Sequence, residues 1–567
     1  MPWRIGLQEM SQFTLPQALD LAQHHHKAGR LREAEILYRQ ILALQPAHAA
    51  ANLYLGVIAH QAGHHPAAVD LIQKAIAANP RSAQAHNNLG LVLEDLGQLD
   101  NAMAAFDKAR ELNPGLAEAH LNIGNVMKVT GRLDDAIAAY RQALAIKPGY
   151  TDAHSNIIYL MHFHPGFDAH AIGEECRRFA SRYALGTAQA HTNHPDPNRR
   201  LRIGYVSPDF RDHVVGRNVL PLIRQHDRRH FEIVCYAQVF RGDALTNQFQ
   251  QLADRWVNIS AMSDDEAALR MREDRIDILV DLALHMGGGR LQIFSRKPAP
   301  LQVTFAGYPG GTGLSAIDYR LTDPHLDPPG MDQSLYVERT IRLPDSFWCY
   351  DPLDCGDISI GPSPATANGF VTFGCLNNPC KINESVLAVW SKVLSQIENS
   401  RLIQMSPGGS HRVELTNRFA AHGVDPSRIQ FVPKQSRRAY LAQYHQIDIG
   451  LDTFPYNGHT TSLDALWMGV PIVTLVGSTA VGRAGWSQLS NLGLQELAAE
   501  NSEQFVEIAA ALARELPRLQ TLRSTLRPRM EQSPLMNASR FACNIEAAYR
   551  HMWRNWCEAP QDAANPP

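Results

Sequence analysis

The chain has 567 residues, 45% of them apolar, which suits about three or four globular domains with full cores. Its net charge of −3 gives no global field that would draw nucleic acid or an anionic membrane surface. Eight cysteines at 176, 235, 349, 355, 375, 380, 543 and 557 form no C-x-x-C pair, which argues against a disulfide framework or a cysteine zinc site and suits a reducing compartment.

The first stretch, MPWRIGLQEMSQF, carries no long apolar core and no cleavage signature. No run approaches the roughly 18 apolar residues of a spanning helix. The expectation is a soluble, cytoplasmic protein with no nucleic-acid or membrane partner. The next 150 residues repeat. Pro46, Pro80, Pro114 and Pro148 are 34 residues apart, as are Gly29, Gly63, Gly97 and Gly131, and Ala34, Ala68, Ala102 and Ala136. Thirty-four is the period of the tetratricopeptide repeat, a helix-turn-helix unit. Glycine serves the turn, alanine lets the second helix pack closely, and proline punctuates the repeats. Four repeats and a partial fifth run to about Leu160.

Asn88, Asn122 and Asn156 share one repeat position. Stacked repeats would align them along an inner surface, where amides can bond an extended peptide backbone. Local capping or inter-repeat contacts would explain them equally well. His24 to His26 sit where a first helix ends, which favours histidine against the helix dipole over a metal tract.

After a loop at His162 to Gly166, residues 168 to 184 read as helix. Gly186 to Arg200 reads as linker. Strands then alternate with helices, which implies parallel sheets. The first run has candidate strands at Leu201–Ser207, Phe231–Ala237, Ile276–Leu282, Leu301–Ala306 and Ile317–Thr322, with a helix at Asp264–Arg272. Asp351 to Asn368 reads as loop. The second run has strands at Gly369–Cys375, Arg401–Ser406, Arg428–Pro433, Ile447–Leu451 and Val470–Leu475. Its helices are Glu384–Gln396, Val413–His422 and Arg437–Gln443. Two Rossmann-like halves suggest a two-domain enzyme, with its ligand at the carboxyl ends of the strands.

Those ends carry the candidate chemistry. SPDFRDH places His213 after the first strand, as a base or acceptor-orienting group or as an ordinary loop histidine. VDLALHMGGGR brings Asp281, His285 and three glycines. CLNNPCKIN brings Asn377, Asn378 and Lys381, and a lysine there can neutralise a phosphate. FVPKQSRR brings Lys434 and Arg437. The stretch Asp452 to Pro471, DTFPYNGHTTSLDALWMGVP, joins a buried strand to a helix through a polar loop. Free N–H groups of a helix start and the hydroxyls of Thr460 and Thr461 make an anion site, and Asp464 is placed like a ribose-binding acid. A plain strand-to-helix turn capped by threonine is the alternative. No D-x-D triplet occurs in the sequence, so a diphosphate would have to be met by a helix end and cations instead of a carboxylate-held metal.

The segments LRIGYVSPDFRDH, APLQVTFAGYPGGTG, CLNNPCKI, LDTFPYNGHTTSLDALWMGVPIVTL and SPLMNASRFACNIEAAYRHMW, behind tetratricopeptide repeats, resemble the protein O-GlcNAc transferases of glycosyltransferase family 41 in their bacterial form. The resemblance implies an α plus α/β chain, with a repeat superhelix followed by a GT-B fold of two Rossmann-like domains. Its boundaries would be repeats over 14–165, a helical linker over 166–200, an N-terminal catalytic domain over 201–355 and a C-terminal donor-binding domain with a terminal helix over 369–557. It implies inverting, metal-independent transfer from a nucleotide sugar, usually UDP-GlcNAc, to Ser or Thr hydroxyls of protein acceptors, with no cofactor.

Residue by residue, His213 resembles the family's cleft histidine and Lys381 the lysine on the donor diphosphate. Asn378 stands where the family has a glutamine near the phosphates. Lys434 and Arg437 stand where it has a lysine and a histidine around the uridine; arginine there is a departure. His459, Thr460 and Thr461 resemble the diphosphate-binding loop and Asp464 the ribose acid. The general base is open among His213, Asp274 and the donor phosphate. Related branches transfer fucose from GDP-fucose or glucosylate asparagine, and a nucleotide-binding repeat scaffold with low turnover is the non-enzymatic alternative.

Overall fold

The computed structural model describes residues 13–184 and 191–558. The segment MPWRIGLQEMSQF up to residue 12, and linker positions 186–190, lie outside the described residues. The chain divides into two compact units.

The first unit reaches Ala153 and includes the short segment Pro407–His411. Its helices come in pairs: Leu15–Lys27 with Leu31–Leu44, Ala49–Gln61 with His65–Ala78, Ala83–Asp95 with Leu99–Leu112, and Ala117–Val129 with Leu133–Ile146. Each pair turns at one glycine of the 34-residue series. Gly29, Gly63, Gly97 and Gly131 have φ of 73°, 77°, 72° and 79°, left-handed values that a side chain resists. The alanines of the second series are wholly buried. Gly90 shows why the helices can approach: a Cβ there would lie 2.4 Å from the Phe106 ring. His24 to His26 fall in the last turn of the first helix, as the helix-end reading requires.

Of the two readings of the asparagines, the inter-repeat contact is the one seen at Asn122. Asn122 and Asn156 are buried, not presented on an open surface. The Asn122 side-chain amide donates to Asn87 Oδ1 at 3.0 Å, a bond between consecutive repeats. Asn88 alone of the three keeps partial exposure. At Asn122 the amide therefore links one repeat to the one before it.

The second unit runs from His154 to Ser406 and resumes at Arg412. It opens with the end of the helix Thr151–Met161 and with the helix Ala169–Tyr183, whose Asp168 cap accepts from the Ala171 amide at 2.8 Å. Seven strands follow: β1 Leu201–Ser207, β2 Phe231–Ala237, β3 Arg255–Asn258, β4 Ile278–Asp281, β5 Leu301–Thr304, β6 Tyr319–Thr322 and β7 Arg339–Arg342. They pair in parallel in the order β3-β2-β1-β4-β5-β6-β7. The second sheet holds β8 Thr372–Cys375, β9 Arg401–Met405, β10 Ile429–Val432, β11 Ile449–Leu451, β12 Ile472–Leu475 and β13 Ala498–Ala499, in the order β10-β9-β8-β11-β12-β13. Both are doubly wound sheets whose order reverses beside the first strand. Residues 351–368, read as loop, include a short helix Pro364–Asn368 closed by Gly369 at φ 72°.

The last helix, Ala538–Glu558, returns to the first sheet although it follows the second in sequence. Its Glu546 accepts the Asp227 amide at 2.8 Å, its Tyr549 hydroxyl meets that of Tyr205 at 3.2 Å, and its Trp553 indole donates to Asp196 O at 2.9 Å. This crossing ties the two lobes through one continuous apolar core. All eight cysteines are free thiols, six of them buried. Among the described residues no helix is long and apolar enough to cross a membrane.

Candidate active site

In the second sheet the order reverses between β8 and β11, and the loops leaving those two strands carry the polar residues. The loop after β8 makes a short turn at Pro379–Lys381, capped by Asn378, whose side chain accepts the Cys380 amide at 3.3 Å. Asn378 is exposed. Lys381 points inward. Its Nζ donates to the backbone oxygen of Asn457, in the loop after β11, at 2.7 Å and lies 4.2 Å from the centre of the Tyr456 ring. Burial pushes the Lys381 ammonium down to about 8, against the weaker opposing pull of Cys380, Asp452 and Cys375. A cation held there with few countercharges is ready to receive an anion.

The loop after β11 is shaped by Asp452, which sequence reasoning passed over. Its carboxylate accepts the amides of Thr453 at 2.8 Å and Gly458 at 2.6 Å and the Thr474 hydroxyl at 2.8 Å. Gly458 keeps this loop tight, since a Cβ there would lie 2.2 Å from Ser462 Oγ and force that hydroxyl to turn away. The helix Thr460–Trp467 starts beyond it with His459 at its N-cap. His459 stacks on Tyr456 at 4.5 Å between ring centres and meets Trp348 edge-on at 5.3 Å. Its Nε2 is 3.3 Å from the Val481 carbonyl, so that nitrogen carries the proton. Burial, reinforced by the Lys381 charge, holds the His459 imidazole well below its usual range, hence neutral.

Thr460 is reached from the other lobe. The Asn218 side chain, on the helix Val214–Gln225 after β1, donates to Thr460 Oγ1 at 2.9 Å. The hydroxyl proton of Thr460 therefore remains to be donated. Thr461 Oγ1 stands one residue further into the same first turn, where its backbone oxygen accepts from Tyr444 at 3.0 Å.

Asp464 and Arg437 are brought together, which the sequence did not suggest. The guanidinium of Arg437 makes two bonds to the Asp464 carboxylate, one of 2.6 Å, and the Tyr350 hydroxyl donates to the same carboxylate at 2.8 Å. Both charged side chains are largely buried, and the carboxylate holds the Arg437 guanidinium above its usual range despite the cost of burial. The Asp464 carboxylate is thus already bonded on two sides. Lys434 is exposed, just past the end of the edge strand β10 and three residues before Arg437.

On the facing lobe His213 caps the helix Val214–Gln225 at the carboxyl end of β1. Its Nδ1 is 3.2 Å from Asp209 Oδ2, and its side chain remains 33% exposed, open on one edge. The buried Asp209 is four residues earlier, a spacing legible in SPDFRDH but not used. Asp274 is corrected as a base. It follows the helix Asp264–Glu273 at the amino edge of the sheet, and its carboxylate is spent on Arg255 at 2.5 Å, Arg270 at 3.0 Å and Tyr236 at 2.7 Å. His285 is wholly buried, with Nε2 3.0 Å from the Thr312 carbonyl and Nδ1 3.2 Å from Ser155 Oγ. It serves structure.

The profile of glycosyl transferase family 41 matches residues 184–354 and 364–545, more than half of the chain. The chain belongs to glycosyltransferase family 41. Tetratricopeptide-repeat profiles match residues 19–83, 61–117 and 93–157 of this family member. It is similar to a structure of a lysine-to-methionine mutant of the O-GlcNAc transferase of Thermobaculum terrenum, with a TM-score of 0.85 and 37% identity over 90% of this chain and 98% of that one. That likeness extends to the repeat helices followed by two Rossmann-like domains. The chain is 41% identical to the probable UDP-N-acetylglucosamine–peptide N-acetylglucosaminyltransferase SPINDLY of Petunia hybrida, over 65% of its length and 40% of the relative's. It is 32% identical to the probable peptide N-acetylglucosaminyltransferase SEC of Arabidopsis thaliana, over 64% of its length and 38% of the relative's. The matched part thus spans about two-fifths of these curated relatives.

Proposed function

We propose that this family 41 protein transfers GlcNAc from UDP-GlcNAc to Ser or Thr hydroxyls of protein acceptors, with inversion and without a metal. The reading rests most on Lys381, a buried cation at the switch point of the second sheet beside the start of the helix Thr460–Trp467. The ammonium, the Thr460 and Thr461 hydroxyls and the free amides of that helix end receive the diphosphate and stabilise the charge that builds on it as the glycosidic bond breaks. Asp464 and Arg437 form the ribose and base side. Asn378 and Lys434, both exposed, are the candidate contacts to the phosphates and the base.

His213 is the candidate base on the facing lobe, its Nδ1 lying between Asp209 Oδ2 at 3.2 Å and the Val215 amide at 3.4 Å, which leaves Nε2 for the acceptor. The acceptor hydroxyl attacks the anomeric carbon from the face opposite the diphosphate, its proton passes to the imidazole, and the leaving diphosphate takes the bonding pair. His213→Ala is expected to lower kcat by roughly 10²-fold. Asp209→Asn should lower kcat less and leave the KM for UDP-GlcNAc unchanged. A kcat unchanged in both variants would remove the pair from the mechanism.

The acceptor is a protein segment, and the donor sugar and base are the points most open to test. Calorimetric titration with UDP, UDP-GlcNAc, GDP and GDP-fucose, with EDTA throughout, decides the donor. Tight binding of the uridine nucleotides supports the proposal. Preference for the guanosine nucleotides assigns the site to fucose transfer, and binding of none leaves a repeat scaffold.

A further inference from the structure

The repeat unit carries a cluster of metal-ligand type that the transfer reaction does not use. His60 lies in the last turn of the helix Ala49–Gln61, and His65 opens the helix His65–Ala78 just beyond the Gly63 turn. Asp95 is the last residue of the helix Ala83–Asp95 in the next repeat. One ligand atom from each of the three lies within 4.8 Å of the others. His60 Nε2 is already 2.7 Å from Asp95 Oδ2. His65 Nδ1 is buried and has no hydrogen-bond partner.

We propose that His60, His65 and Asp95 bind one divalent transition-metal ion of the zinc class, which staples two successive repeats together. Two imidazoles and a carboxylate are a donor set that suits such an ion, with water as a fourth ligand. Zn–N and Zn–O bonds of about 2.0–2.2 Å place tetrahedral ligand atoms roughly 3.3–3.6 Å apart. The existing spread therefore closes with small side-chain rotations. The helices Ala49–Gln61 and Ala83–Asp95 both end here, and their carbonyl ends favour a cation. His60 and Asp95 keep side-chain exposures of 22% and 59%, so an ion has a path in from solvent. Repeats are stabilised by their nearest-neighbour contacts, so a bond from one turn to the next helix end strengthens the array where it acts.

The test uses the full chain, freed of any purification tag and stripped of metal. ZnCl2 is titrated by calorimetry, and the thermal melt is followed by circular dichroism with and without Zn²⁺. The expected result is one saturable site per chain and a melting temperature raised by Zn²⁺. His60→Ala and Asp95→Asn should each weaken binding at least tenfold and remove the thermal shift. His25→Ala, in the neighbouring histidine tract, should bind as the parent does. Co²⁺ in place of Zn²⁺ should give the visible spectrum of a tetrahedral ion in the parent and lose it in His65→Ala. A parent that binds no Zn²⁺, or a His60→Ala/His65→Ala double variant that binds it as tightly as the parent, overturns the proposal. Helical content by circular dichroism separates loss of the site from loss of fold.

Discussion

Lys381→Ala is expected to lower transfer by about 10²–10³-fold, the loss typical when one preorganised group that meets developing charge is removed. No other group duplicates its position. It is a cation held against the Asn457 carbonyl and the Tyr456 ring at the switch point. The Thr460 and Thr461 hydroxyls and the helix amides supply dipoles, not a full charge. The fall should appear in kcat more than in the binding of free acceptor. The same residue predicts a pH dependence. The diphosphate binds the charged ammonium, and burial brings that ammonium to about 8 in the free protein. Below this pH the charge is present and affinity is flat. Above it the protein must first take up a proton, so donor affinity should fall by about tenfold per pH unit. The effect should vanish in Lys381→Ala. Titrating UDP at several pH values between 7 and about 9.5 checks it, and a flat profile in the parent would contradict the assignment.

The second large effect concerns Arg437 and Asp464. Removing either partner leaves the other charge buried and unpaired, which typically costs about 3–5 kcal/mol. Asp464→Leu or Arg437→Met alone should therefore lower the urea midpoint sharply. The double variant Arg437→Met/Asp464→Leu should recover much of that loss, because two apolar side chains of similar volume can replace a buried pair. Nucleotide binding should not recover with it, since the proposed ribose acid is gone. Recovery of both would reduce the pair to a structural bridge. Failure of the double variant to regain stability would place the cost in packing with Tyr350, not in the charge pair.

The contrast between these two residues shows what a sequence reveals. Lys381 was marked as a candidate because it lies in the loop after the buried strand β8, and strand ends in such sheets face the ligand. The bond between Arg437 and Asp464 was not legible, because it joins the start of the helix Arg437–Gln443 after β10 to the helix Thr460–Trp467 after β11. The central strands announced themselves as apolar runs buried on both faces, and β1 and β2 have the expected bounds. β3, β7 and β13 were missed, and all three are sheet edges. Arg255–Asn258 and Arg339–Arg342 carry charge and are partly exposed, so they lack the apolar run that marks a central strand. The helix Pro364–Asn368 had a readable signal, proline near its start and glycine after its end. The asparagine row misled because a 34-residue period fixes which residues share a position. It does not fix whether that position faces outward or toward the next repeat.

The measurement that bears most directly on the central claim is sugar transfer itself. The purified full chain is incubated with UDP-GlcNAc and a panel of Ser- and Thr-containing peptides in EDTA, and the products are weighed by mass spectrometry. The account predicts peptides heavier by one N-acetylhexosamine, with stoichiometric UDP, and both products formed about 10²–10³-fold more slowly by Lys381→Ala. UDP-GlcNAc left intact while GDP-fucose yields deoxyhexose-modified peptides would contradict it.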